Sequence, residues 1–278
     1  MSVNEQLSEE IEIYRDRMWQ REPERRVETA VEAETLIERS GFCAAMTDAR
    51  RPGASLYVSV CGRRDAHMPR NVQKDPESSQ AWLLKDEIMR RGRVYYAKLA
   101  KGRALFVAPR LVPHINALWG VPRREESVRL SAEARAVLKI LRREWEMASG
   151  DLRSAAKIKE RAGLTRALDE LQRTLKVIPG DVMYEPWFTY IWTLAETRFS
   201  AELKVKVKRE AALREMARAF LDGAGMTLRG ELAKVTGLSR PDAGVGNRAL
   251  VAEGYAVRVA DGVYQLADLE RRLQAMDN

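Results

Sequence analysis

A chain of 278 residues that is 45% hydrophobic and 32% charged, with 48 Lys and Arg against 40 Asp and Glu, is globular and basic at +8; that balance favours a polyanionic partner, most commonly nucleic acid. Its two cysteines (Cys43 and Cys61, no CxxC) and two histidines (His67 and His114) exclude a zinc site, a disulfide framework and a Ser/His/Asp triad, so neither metal nor cofactor is expected. No apolar run approaches membrane-spanning length and the first residues are polar rather than signal-like, which predicts a cytoplasmic protein with no membrane partner.

In chain order, Glu5 to Gln20 reads as a polar helix whose apolar stripe, Ile11, Tyr14, Met18 and Trp19, packs on the body of the protein. Arg21 to Arg26 is a charged linker. Val27, Ala30, Val31, Ala33 and Leu36 suit one helix, ended by Gly41. Thr47 to Gly53 is a loop, and Ser55 to Val60 is short enough to be strand or helix. Cys61 to Lys74 is basic and irregular. Asp75-Pro76-Glu77 then announces a helix: a capping side chain, a proline at the first helical position and an acid facing the helix dipole. Ala81, Leu84 and Ile88 follow at helical spacing, and Gly92 ends the helix. Arg93 to Leu99 and Arg103 to Val107 are strands joined by the turn Ala100-Lys101-Gly102. A helix running into a hairpin is the back half of a winged helix, whose helix can enter a DNA groove and whose hairpin can touch the flanking backbone. Ala108 to Trp119 adds a short helix carrying His114.

The same order is expected twice more. After a linker, Gly120 to Leu130, Ser131 caps a helix that is expected to bury Ala134, Val137, Leu138, Leu141, Trp145 and Ala148 and to stop at Gly150. Asp151 to Ala162 is a second helix, Leu164, Leu168, Leu171 and Leu175 line a third, and Lys176 to Ile178 with Phe188 to Leu194 form a long aromatic wing. The last third has helices over Ala211 to Leu221, from Thr227 to Gly237 and over Ser239 to Glu253. Tyr255 to Ala260 and Val263 to Leu266 then pair across Asp261-Gly262, a strong hairpin signal. Asp268 to Asn278 is one more helical turn or two. The expected fold is mainly α with small β hairpins, an α+β chain of three tandem winged-helix modules at residues 27–120, 121–199 and 200–278, preceded by a helix and linker at 1–26.

Cations crowd the first module. Arg50, Arg51, Arg63, Arg64, Arg70, Lys74, Lys85, Arg90, Arg91, Arg93, Lys98, Lys101 and Arg103 all fall there, many in the loop, helix and wing that would face DNA and neutralise phosphates without reading sequence. Trp82 is placed to stack or wedge. In the third module Arg240, Asn247 and Arg248 lie on the helix expected to read bases, since Arg to guanine and Asn to adenine are the usual pairings; Gly244 and Gly246 weaken that helix.

Several segments resemble a known family: Gly41-Phe42-Cys43, Ser55-Leu56-Tyr57 through Cys61-Gly62-Arg63-Arg64, Asp75-Pro76, Trp82, Lys85-Asp86-Glu87 and Val94-Tyr95-Tyr96. They are similar to the AlkZ-type DNA glycosylases, winged-helix enzymes that unhook bulky alkylated bases and interstrand crosslinks; this chain looks like a short, divergent member. The resemblance implies binding of double-stranded, damaged DNA by a monomer. It also implies a Gln-x-Gln or Gln-x-Asp motif that places water at the sugar carbon, matched here only by Gln73-Lys74-Asp75. A carboxylate suits that role by activating water or stabilising charge on the sugar. Pro76 follows Asp75 at once, however, and an N-cap role accounts for Asp75 fully. Asp86 and Glu87, beside Lys85 on the following helix, are the alternative acids. The sequence leaves open a monofunctional glycosylase, a winged-helix transcription regulator, or a non-catalytic DNA- or protein-binding scaffold.

Overall fold

The computed structural model describes residues 7–277. Helix α1 (Glu9–Trp19) is N-capped by Ser8 and buries Ile11, Tyr14, Met18 and Trp19, the stripe read from the sequence; a helix start at Glu5 lies outside the described residues. This helix is fastened to the far end of the chain. Tyr14 donates its hydroxyl to the Asp222 carbonyl at 2.6 Å, and Arg15 donates to the carbonyls of Ala224 (3.0 Å) and Met226 (2.7 Å) and to Glu231 (3.0 Å).

One element order then occurs three times: helix, short strand, two helices, hairpin. The first set is α2 (Ala30–Ser40), β1 (Phe42–Ala44), α3 (Leu56–Cys61), α4 (Pro76–Arg91), β2 (Tyr95–Ala100) and β3 (Arg103–Val107). Of residues 55–60, open between strand and helix, 56–60 are helical, while Ser55 is extended and bridges to Ala44. Thr29 and Glu32 form a reciprocal capping box at the start of α2. After α5 (Val112–Trp119) and α6 (Glu126–Arg129), the second set is α7 (Ala132–Glu144), β4 (Glu146–Ala148), α8 (Ser149–Ala155), α9 (Arg161–Arg173), β5 (Val177–Met183) and β6 (Thr189–Leu194). Gly150 does not stop α7; it lies inside α8, and Trp145 with φ +69° ends α7 instead, so Trp145 is exposed and Ala148 falls in β4 rather than on the buried face of the helix. After α10 (Ala195–Arg198) and α11 (Ser200–Lys204) come α12 (Arg209–Ala224), β7 (Met226–Thr227), α13 (Glu231–Thr236), α14 (Arg240–Ala252), β8 (Ala256–Ala260), β9 (Val263–Leu266) and the closing α15 (Leu269–Asp277). Thr227 does not begin a helix: it pairs with Tyr264, and α13 begins four residues later.

Each set closes one antiparallel three-stranded sheet, ordered β1-β3-β2, β4-β6-β5 and β7-β9-β8. The chain is therefore α+β, as expected. The first strand of each sheet has only two or three residues, too few to show an alternating pattern. No helix among the described residues is long and apolar enough to cross a membrane.

Packing joins the sets unequally. One hydrophobic core runs through α1, the first set and the third and takes in Leu175, Ile178 and Val182 of the second; a separate core, from Val121 to Leu194, holds the rest of the second set together. In the third set α14 crosses α12 at Gly246, where a Cβ would sit 2.3 Å from the Leu213 carbonyl oxygen. Only glycine fits that crossing, so the residue that weakens the isolated helix permits its packing.

Candidate nucleic-acid interface

The acids singled out by sequence occupy structural positions. Asp75 is the N-cap of α4, accepting from the Ser78 amide at 2.8 Å and the Ser78 hydroxyl at 2.5 Å, and those bonds hold its carboxyl below the ordinary value. Gln73 is exposed in a short 3-10 turn just ahead of it. Asp86 is 1% exposed and pairs at 2.7 Å with Lys85, which is 2% exposed.

Lys85 and Asp86 lie where the β5–β6 hairpin of the second set closes on α4. The Lys85 ammonium sits 3.8 Å from the Trp82 ring centroid, 5.3 Å from Tyr190 and 5.7 Å from Phe188, and donates to the Tyr190 hydroxyl at 3.1 Å. Tyr184 donates its hydroxyl to Asp86. Arg90 pairs with Asp181 at 2.6 Å, and Arg198 donates to the carbonyls of Met89 and Gly180. The free side of α4 presents Gln80, Leu83 and Glu87. The sequence reading had this helix entering a DNA groove; covered by the hairpin on one side and without a basic face on the other, it is a scaffold helix, and the Lys85 ammonium does not reach solvent.

Most first-set cations are already neutralised. Arg63 pairs with Glu77 (2.5 Å), Arg64 with Glu9 and Asp16, Arg91 with Glu34 (2.6 Å), Lys98 with Asp169 (3.0 Å) and Arg50 with Asp48; Arg93 lies 3.8 Å from Glu34. Arg70, Lys74 and Lys101 are exposed and have no acidic partner among the described residues. In the third set Arg240 and Arg248 are exposed, whereas Asn247 is buried and its Oδ1 has no hydrogen bond, so it does not reach a base.

Cations, some paired and some not, gather in two clefts, one between the first and third sets and one between the first and second. A cleft of about 450 Å³ lies between α1, the 49–53 loop and the β7–α13 turn. Arg15, Arg21, Arg50, Arg51, Arg64, Arg229 and Lys234 line it, against two carboxylates, Glu12 and Glu231. Beside it, Arg103 donates to the Lys234 carbonyl, and burial together with the neighbouring Arg51 charge pushes its guanidinium below the ordinary value. Arg103 leads into the wing turn Lys101-Gly102. On the far side of that turn a second cleft, about 490 Å³, runs along α9 past Arg166 and Arg173. Lys101, Arg166, Arg173, Arg51 and Lys234 are all exposed without acidic partners among the described residues. The second cleft is also lined by Glu133, Asp169 and Glu170, of which Asp169 pairs with Lys98 and Glu170 accepts from Ser131; the exposed cations without acidic partners favour a bound polyanion.

Of the cations named from the sequence, the strip thus contains Arg50, Arg51, Arg64, Lys101 and Arg103 and omits Arg63, Arg90, Arg91 and Lys85. Arg166 and Arg173 had escaped notice. They stand seven apart on α9, opposite the stripe Leu164, Leu168 and Leu171, so the helical period carried the signal.

Comparison with known proteins bears on both fold and ancestry. The chain matches the AlkZ-related family over residues 27–235. No curated protein matches it in sequence. Among solved structures, the Streptomyces sahachiroi DNA glycosylase AlkZ superposes with a TM-score of 0.57 at 14% identity, covering 96% of this chain and 71% of that one. The Corynebacterium diphtheriae protein DIP2311 is 17% identical over 69% of this chain and 39% of that one, with a TM-score of 0.20. With three quarters of its length matched, this chain belongs to the AlkZ-related family.

Proposed function

We propose that this protein grips duplex DNA along the cation strip and acts as a monomeric repair protein of glycosylase type, hydrolysing the N-glycosidic bond of an alkylated base. Each repeated set then serves as a winged-helix module, with boundaries near Gly120 and Phe199. The observation that carries this reading is the strip itself: exposed, unpaired cations drawn from all three sets and lining the two clefts between them. Family membership and the AlkZ-like fold support the reaction class. Contact through phosphates implies little sequence preference.

The test is duplex binding as a function of salt. Charge reversal at Lys101, Arg166 and Arg173 removes three phosphate partners without stranding an acid. The expected result is at least a roughly tenfold loss of affinity at low salt and a salt slope shallower by roughly 2–3. Reversal at Arg63 and Arg64 is a poorer probe, because it leaves Glu77, Glu9 and Asp16 unpaired. Unaltered binding in the triple variant would remove the strip from the interface.

A further inference from the structure

The cleft between α1 and the β7–α13 turn sets two carboxylates, Glu12 and Glu231, among seven cations. Its two acids are not equivalent. Glu231 is 4% exposed and fully engaged: Oε2 accepts from Arg15 at 3.0 Å and from the Leu228 amide at 2.9 Å, which ties α1 to the turn before α13. Glu12 is half-buried, with its Oε2 accepting from Arg21 at 2.7 Å, and its Oε1 has no hydrogen bond to the described residues. Glu12, Arg15 and Trp19 stand at i, i+3 and i+7 on the cleft-lining side of α1. Arg21 also lies 2.9 Å from Asp16, so a single guanidinium braces two successive carboxylates of α1. Burial pushes the Asp16 carboxyl up, while Arg64 holds its other oxygen.

A volume of about 450 Å³ admits a nucleotide, and the guanidiniums on its rim suit the flanking phosphates. We propose that this cleft receives the extruded nucleotide and that Glu12 is the catalytic carboxylate facing its sugar, in place of Asp75 or Asp86, neither of which lines the cleft. This rests on the glycosylase reading above. The substrate class is a cationic N-alkylpurine nucleotide such as N7-alkylguanine. The C1′–N9 bond breaks and its electron pair leaves with the base, which departs neutral. Water bonds to C1′, and its proton passes to Glu12 and then to solvent. Glu12 also opposes the positive charge that develops on the sugar. Arg21 and Asp16 position Glu12 and do not touch the substrate.

The experiment measures binding as well as turnover. The full chain is titrated with two duplexes that differ at one position, one carrying an uncharged tetrahydrofuran abasic site and the other a protonated pyrrolidine that mimics the charged sugar. Wild type should prefer the pyrrolidine duplex by about tenfold or more, as expected for a carboxylate facing that charge. Glu12→Gln should abolish the preference while leaving tetrahydrofuran affinity within about threefold. On an N7-methylguanine duplex the same variant should lower abasic-site formation by a factor of about 100 or more. Asp16→Asn should weaken the preference partially, and circular dichroism shows whether either variant is folded. A wild type without the preference overturns the proposal, as does Glu12→Gln that keeps it, or Asp75→Asn that alone loses it. Those outcomes leave ordinary duplex binding intact; loss of all duplex binding by wild type would instead remove the proposed function itself.

Discussion

Replacing Asp86 with Ala isolates the energetics of the α4–hairpin junction. Lys85 and Asp86 have side chains only 2% and 1% exposed and are paired at 2.7 Å. Removing the carboxylate leaves an ammonium buried against the faces of Trp82, Tyr190 and Phe188, with the Tyr190 hydroxyl as its remaining polar neighbour. Breaking one side of a buried pair costs about 3–5 kcal/mol, because the surviving charge stays desolvated. Ring contacts reduce that cost by about 1 kcal/mol without cancelling it. At about 2–4 °C per kcal/mol for a chain of this size class, the melting temperature should fall by roughly 5–15 °C. The companion variant Lys85→Met with Asp86→Leu removes both charges and keeps the volume; it should lie within about 1 kcal/mol of wild type or above it. Urea titration and thermal melting measure both. An Asp86→Ala protein within about 1 kcal/mol of wild type would refute the reasoning, as would a double variant no more stable than the single one. The first result would mean that the junction opens to water; the second would mean that packing, not charge, holds the hairpin on α4.

Gly246→Ala should destabilise the protein by about 2 kcal/mol, although helix propensity alone predicts a gain of about 1 kcal/mol, because the new Cβ meets the Leu213 carbonyl at 2.3 Å; a rise in melting temperature would show that α12 and α14 separate freely. Asp48 provides a pH test. Hydrogen bonds from Arg50 and from the Met68 amide hold its carboxyl at about 2. That folded value lies below the unfolded value of about 3.9, so its stabilisation is complete above pH of about 4 and is lost as pH falls through the folded value. With Arg50 mostly in solvent, Asp48→Asn should cost only about 1 kcal/mol at pH 7 and a small fraction of that at pH 2; equal losses at the two pH values would place the effect in packing rather than charge.

Local chemistry was enough for much of this fold. Asp75, Ser131 and Ser239 cap the helices they were expected to cap or begin, and the hairpin turns at Lys101-Gly102 and Asp261-Gly262 fall where the residues require them, since caps and turns depend on neighbours within four residues. The apolar stripe of α1 was legible for the same reason. The family resemblance lay in short segments, Trp82 and Lys85-Asp86-Glu87 among them, and the match over residues 27–235 bears it out. What charge composition could not reveal is which cations are free. Arg63, Arg64, Arg90 and Arg91 look like DNA contacts in a list of residues, yet their partners Glu77, Glu9, Asp16, Asp181 and Glu34 lie between 14 and 91 positions away, and only folding brings those pairs together. The hairpin that covers α4 and the contact of α1 with the β7–α13 turn are likewise long-range. A charged side chain keeps its charge for a ligand only where tertiary structure leaves it without a counter-ion. That is why the basic character was written in the sequence, while the strip through Arg51, Lys234, Lys101, Arg166 and Arg173 and the cleft holding Glu12 were decided by the fold.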